Sequence, residues 1–407
     1  MLGRGLRTAR RSARLGRLFV ECVVKEGPRA AFGRARAYRT AFATGSREAA
    51  ARATASGDVL FVSACRGGTR RYRCEHAVEQ LALVGYSASV VLWPHADLAP
   101  LIDRFETFVL QRVPYDADVR KFLASARQRG KRVLFDIDDL MIDARYAPGL
   151  GHLAYAGRFE RELAERHLRD LGRTLRACDG IVVSTTPIQR ACAALCPQVP
   201  CWVHRNRVSQ VMLDRSAACR ERRSSDTVVL GYFSGTATHI ADFAVIVSAL
   251  VRLFERHASV RLLLVGEIQL PRVLQPFSDR IDVRGLVEWR DLPALIASAD
   301  INLVPLQNTE FAAAKSTIKW LEAALVRRPT IATATRAHCD ELCHEEHALL
   351  VAPGADWFPA LERLVTSRGE RARLAEAAHA LALEHYTPVA GGTSWRQILT
   401  HCSPARA

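Results

Sequence analysis

Lysine is nearly missing from this chain. Of its 57 basic residues only five are lysines, Lys25, Lys121, Lys131, Lys315 and Lys319, and arginine is written everywhere else. Long apolar runs are missing too. Nothing approaches the roughly 20 residues that cross a bilayer, which excludes a membrane span. The short run "LFVECVV" carries Glu21 and no small-residue cleavage site follows it, which excludes a secretory signal and leaves the cytoplasm as the expected location. A disulfide framework is absent as well: the 11 cysteines are odd in number and unevenly spaced, and suit reduced, buried thiols. The basic stretches lack aromatic interleaving and zinc-finger spacing, which argues against nucleic acid as a partner.

What is present is a soluble globular composition, 49% apolar and 24% charged, over 407 residues, a length that favours two domains. The heavy Arg and Ala usage has the look of GC-rich bacterial coding. Residues 1–57 hold 13 basic and three acidic residues, so they carry +10 of the net +15. Arg4, Arg7, Arg10, Arg11, Arg14 and Arg17 recur at mostly helical spacing, with Leu2, Leu6, Leu15, Leu18 and Phe19 between them. A basic amphipathic helix on an anionic membrane surface is one reading, and a solvated tail is the other.

From Asp58 short β-branched runs alternate with helical segments, the signal of βαβ units and a parallel sheet. "DVLFVSA", "SASVVLW", "ETFVLQR", "KRVLFDI", "GIVVST" and "PCWVHRN" form one series. After the polar break 214–226 come "TVVLGYFSG", "VRLLLVGE", "RIDVRGL", "DINLVP", "PTIATA" and "HALLVAP". The expectation is an α/β protein of two Rossmann-like domains facing across a cleft, 58–213 and 214–385. The leader 1–57 precedes them, and a tail 386–407 returns toward the first domain. Ligands in such sheets lie beyond the strands' carboxyl ends.

Two of the rare lysines sit four residues apart in "FAAAKSTIKWLEAALVRRPTIATAT", 311–335, with Glu322 three further on. The segment reads as a helix of about 14 residues with Lys315, Lys319 and Glu322 on one face near its start. Two cations at a helix N-terminus are unfavourable unless an anion such as a diphosphate docks there. Glu322 would then accept from ribose hydroxyls. The plain alternative is a solvated Lys–Glu face.

"AAAKSTIKWLEAALVRRPTIATAT" resembles the donor-site helix of the retaining GT-B glycosyltransferases called group 1 or family 4. Those carry a Glu, seven residues, a second Glu, and then an Ala-rich turn into a Pro-containing strand. Glu322-Ala323-Ala324 with Pro329-Thr330-Ile331-Ala332 matches the second half. "WRDLPALIASADINLVPL" and "TVVLGYFSGTATHIADFAVIVSALVRLFERHASVRLLLVGE" resemble the family's neighbouring segments, so the likeness covers most of 227–386. It implies transfer of a sugar from a nucleotide-diphosphate sugar, which serves as co-substrate without any cofactor or bound metal. The acceptor would be a hydroxyl of a glycan or lipid-linked molecule, in bacterial envelope polysaccharide synthesis. The implied donor-binding residues are Gly235, Thr236, Lys315, Ser316, Thr317, Lys319 and Glu322.

Two departures stand out. The family's first Glu falls on Ala314, and its Arg and Lys-Gly after the opening strand are replaced by a loop starting Gly235-Thr236; Lys315 and Lys319 would supply those cations. In the first half, "ACRGGTRRYR" resembles the family's acceptor loop more loosely. Gly67 and Gly68 permit close backbone approach, and Arg71 and Arg73 would meet a phosphate of donor or acceptor, or else form a solvated turn. In "VLFDIDDLMID" the resemblance implies that Asp138 or Asp139 orients the acceptor hydroxyl. The rivals there are a metal clamp on Asp136 and Asp138 in a GT-A enzyme, and helix capping by surface carboxylates. "HCDELCHEEH" at 338–347 has metal-ligand residue types, as does Cys192 with Cys196, but neither has a second ligand pair, so no metal is expected. A further rival is a non-catalytic GT-B-like subunit partnering an active transferase, suggested by Ala314.

Overall fold

The computed structural model describes residues 56–94, 97–150, 157–219, 226–234 and 240–401. All but the last two positions of the basic leader lie outside the described residues, as do Gly235 and Thr236. The twelve anticipated strands all form. The first six are β1 (Gly57–Ser63), β2 (Ala88–Leu92), β3 (Phe105–Gln111), β4 (Arg132–Ile137), β5 (Gly180–Val183) and β6 (Cys201–Val203), in the all-parallel order β2-β1-β3-β4-β5-β6. The second six are β7 (Val228–Phe233), β8 (Val260–Val265), β9 (Ile281–Arg284), β10 (Ile301–Val304), β11 (Thr330–Thr333) and β12 (Leu349–Val351), in the order β12-β11-β10-β7-β8-β9, again parallel. Central strands such as β5 and β10 are buried along their whole length, which is why they read as continuous apolar runs and not as alternation.

In the second sheet the winding reverses between β7 and β10, so a crevice opens beyond their carboxyl ends. Gly266 secures that end of the sheet. It has φ +119, and a Cβ there would lie 2.2 Å from the carbonyl oxygen of Ser234 at the end of β7, so only glycine allows the approach.

Seven helices matter for the site. They are α1 (His76–Ala82), α2 (Arg158–Ala177), α3 (Gln210–Ala217), α4 (Val247–Arg256), α5 (Ile318–Leu325), α6 (Arg368–His385) and α7 (Pro388–His401). A π-helical turn, Arg71–Glu75, leads into α1. Residues 240–256 form two helices, Ile240–Ala244 and α4, and Phe243, Ile246, Leu250, Leu253 and Phe254 are buried together. The expected boundary at 213/214 falls inside α3. Met212 of that helix packs with Trp320 and Leu321 in the second domain, while Asp214 and Arg215 are exposed. Helix α7 packs on α1 in the first domain: Trp395 is fully buried, edge-on to Phe61 at 5.4 Å. Among the described residues no helix is long and apolar enough to cross a membrane.

Candidate functional site

The segment that carries the paired lysines is not one helix. Thr309 caps a short helix, Glu310–Ala313, through its hydroxyl, which accepts from the Ala312 amide at 3.1 Å. The chain leaves that helix at Ala314 and resumes helical geometry at Ile318. Side-chain bonds hold the break open. Asn206 Nδ2 donates to Ser316 Oγ at 3.0 Å, and Thr317 Oγ1 donates to Glu341 Oε2 at 2.8 Å. Lys315 therefore precedes α5 and does not share a helical face with Lys319, contrary to the spacing argument. Ser316 and Thr317 are engaged in joining the domains and the helix start. Thr317 at the N-cap of α5 makes no side-chain cap bond, so among the described residues this helix start is open to another acceptor.

The two lysines have different surroundings. Lys315 Nζ donates to Asp242 Oδ2 at 2.9 Å, and Asp242 is only 1% exposed. Lys319 Nζ is buried and has no hydrogen-bond partner among the described residues. It lies 5.0 Å from the centre of the Tyr232 ring. Burial, with Lys315 nearby, pushes its pKa down to about 8, against the pull of Asp242 and Glu322. A buried ammonium without an acceptor is costly, and a docked anion would relieve that cost.

Glu322, one turn deeper, is also buried, and the first domain reaches it. Tyr72 Oη, from the π-turn, donates to Glu322 Oε1 at 2.7 Å. Burial pushes this carboxyl up, opposed by the Tyr72 bond and by the charges of Arg71 and Lys319. Beside Tyr72, the Arg71 guanidinium lies 4.6 Å over the ring of Trp289 in the second domain, and its buried Nε has no hydrogen-bond partner among the described residues. Gly67 begins this region with φ +64, and open space surrounds it and Gly68.

Arg73 does not face the cleft. It is fully buried, with Nε and Nη2 on Asp136 Oδ1 and Oδ2 at 3.1 and 2.6 Å, and Nη1 on the His204 carbonyl and Asn206 Oδ1 at 2.5 and 3.1 Å. The expected phosphate contact is therefore corrected to an internal ion pair. Asp136 sits inside a strand among apolar residues and requires a cation, and Arg73 supplies it. Through Asn206 the same arginine reaches Ser316.

Asp138 and Asp139 share Arg112. Its Nε donates to Asp138 Oδ1 at 2.7 Å and its Nη2 to Asp139 Oδ2 at 2.5 Å. Arg112 adopts φ +50, a left-handed backbone that non-glycine residues rarely take. Burial pushes Asp138 up to about 6, with Arg112 pulling the other way. Ser184 Oγ donates to the Asp138 carbonyl at 2.9 Å, and the next residue, Thr185, donates through Oγ1 to the Ala314 carbonyl at 3.0 Å. That chain ties the acidic string to the turn bearing Lys315. Ala314 itself is 1% exposed and packs into the first domain's apolar core, so this position presents a methyl group where the resemblance implied a carboxylate.

In the 338–347 stretch, Cys343, Glu346 and His347 approach one another. His347 Nδ1 accepts from the Cys343 amide at 3.1 Å, so the neutral ring carries its proton on Nε2 and has no lone pair left there for a metal. His338 is buried, with its Nδ1 2.7 Å from the Thr333 carbonyl, and stands apart from that trio in role.

Two parallel six-stranded sheets, with Lys319 Nζ and Glu322 buried near the second sheet's switch point, form the two-domain GT-B fold. Residues 227–367, about a third of the chain, match the family model "Glycosyl transferases group 1". Solved structures share the fold at low identity. HepE of Anabaena, crystallised with UDP and glucose, is 14% identical, with a TM-score of 0.58 over 85% of this chain and 100% of that one. Sucrose-phosphate synthase of Thermosynechococcus elongatus is 14% identical with a TM-score of 0.59, covering 84% of this chain and 98% of its own. A glycosyltransferase of Rickettsia africae is 11% identical with a TM-score of 0.60, over 85% and 98%. No curated protein sequence matches this chain. The GT-A alternative falls with the fold, and the carboxylates it would have used are held by Arg73 and Arg112.

Sequence reasoning missed Tyr72, Arg112, Asp242 and Trp289. Only Asp136 offered a signal for a missing partner, as a carboxylate written into an apolar strand.

Proposed function

We propose that this chain transfers a sugar from a nucleoside diphosphate sugar to an acceptor hydroxyl, with the donor seated at the start of α5. The observation that carries this reading is the buried Nζ of Lys319, without a hydrogen-bond partner among the described residues, beside a helix start that its N-cap residue Thr317 does not cap. A diphosphate satisfies both. Glu322 takes the ribose hydroxyls, and Gly235 and Thr236, next in sequence after β7, remain donor-binding candidates outside the described residues. When the sugar's C1–O bond breaks, its electron pair leaves with the diphosphate, and Lys319 and the helix amides stabilise the charge that develops. Lys315 stands next to it, steadied by Asp242. The acceptor oxygen bonds to C1 with retention, and Asp138 or Asp139 takes its hydrogen bond and then its proton. The lysines supply the positive charge, so no metal ion is required. UDP sugars are the first donors to try, because HepE of Anabaena was solved with UDP-glucose. A glycan or lipid-linked acceptor at the inner membrane face of a bacterium, met through the basic leader, suits an envelope polysaccharide role.

Release of nucleoside diphosphate from UDP-glucose, UDP-galactose and UDP-N-acetylglucosamine tests this, with guanosine and adenosine diphosphate sugars in parallel. Turnover should survive a chelator and vanish in Lys319→Met. No turnover of any donor, with no binding, would overturn the reading. Ala314 favours one other reading, a donor-binding subunit without activity, which predicts binding without release.

A further inference from the structure

We propose that the first domain's Arg71-Tyr72 turn occupies the donor's own contacts in the ligand-free protein, so that Tyr72 competes with the nucleotide for Glu322 and sets donor affinity. The inference rests on the donor reading above. It differs from that reading in the sign it assigns to Tyr72.

Each group of the turn stands in for a part of the donor. The Tyr72 hydroxyl donates to Glu322 Oε1 at 2.7 Å, as a ribose hydroxyl would. The Arg71 guanidinium lies over the Trp289 ring, 4.6 Å from its centre, where a base would stack. Both residues belong to the π-helical turn Arg71–Glu75, a rare geometry that is frequent at functional sites. The turn is anchored just past them by Arg73, whose ion pair with Asp136 fixes it to the first domain. Tyr72 is buried among Val208, Met212, Trp320 and Leu321, so its hydroxyl has no solvent to turn to and the bond to Glu322 persists until a better donor replaces it. A binding-competent state that is only fractionally populated lowers apparent affinity by that fraction.

Tyr72→Phe keeps the ring and removes only the hydroxyl. Calorimetric titration with UDP, GDP and ADP, on the parent, on Tyr72→Phe and on Lys319→Met, reads the effect. Tyr72→Phe should bind the preferred nucleoside diphosphate about tenfold more tightly, the scale of one hydrogen bond to a charged group. Affinity for inorganic pyrophosphate, which does not reach Glu322, should be unchanged. Tyr72→Leu serves as a second variant if Phe fails to fold, with the same sign expected. If the parent binds and Lys319→Met weakens binding, but Tyr72→Phe binds equally or less well, this inference is overturned and the donor reading stands. If none of the three nucleotides binds the parent or Tyr72→Phe, both are overturned.

Discussion

Replacing Lys319 by Met should make the ligand-free protein more stable while removing its affinity for the diphosphate. The ammonium is buried without a hydrogen-bond acceptor among the described residues, and its pKa falls from 10.5 to about 8. That fall corresponds to about 3 kcal/mol of unfavourable burial at neutral pH. Methionine has a similar length and no charge. The variant forfeits the contact with Tyr232, worth about 1 kcal/mol, so the net gain is about 2 kcal/mol. The pH dependence carries a definite sign. Between pH 8 and 10.5 the unfolded chain holds a proton on Lys319 that the folded chain has released, so the parent's stability climbs through that window. The variant lacks this term. Urea unfolding of both proteins at pH 7 and pH 10.5 should show the variant ahead at the lower pH and the gap gone at the higher. A variant less stable than the parent at pH 7, or a gap that ignores pH, would refute the reasoning.

Arg73→Met should cost about 3–5 kcal/mol in chemical unfolding, because it leaves Asp136 charged and fully buried; a loss under 1 kcal/mol would show that the pair is dispensable. Arg112→Gln removes the charge that restrains Asp138, whose pKa should rise from about 6 by about one unit or more. The acid limb of transferase activity should follow it upward, and an unmoved pH profile would take Asp138 out of proton transfer. Removing residues 1–55 should abolish binding to anionic vesicles, and binding of the full chain should weaken with salt. Salt-insensitive binding would argue against an electrostatic leader.

The strands were legible because each is a short β-branched run bounded by polar turns, and their alternation with helices leaves few topologies open. "KRVLFDI" and "DINLVP" needed nothing beyond local pattern. The site was legible only where chemistry is written locally, as in the rare lysines and Glu322. The break at Ala314 was not, because it depends on Asn206 and Glu341 holding Ser316 and Thr317 from outside the segment. Arg73 and Arg71 look alike in "RRYR", yet one is sunk onto Asp136 and the other lies over Trp289. Their partners are 63 and 218 residues away, and spacing along the chain cannot distinguish them.

A crystal structure of the protein with UDP, or with GDP or ADP if either binds more tightly, tests the central claim most directly. The account predicts a diphosphate oxygen about 3 Å from Lys319 Nζ at the start of α5, a ribose hydroxyl on Glu322, and the Tyr72 hydroxyl displaced from that carboxylate. A nucleotide seated elsewhere, with Lys319 still unpartnered and Tyr72 still on Glu322, would contradict it.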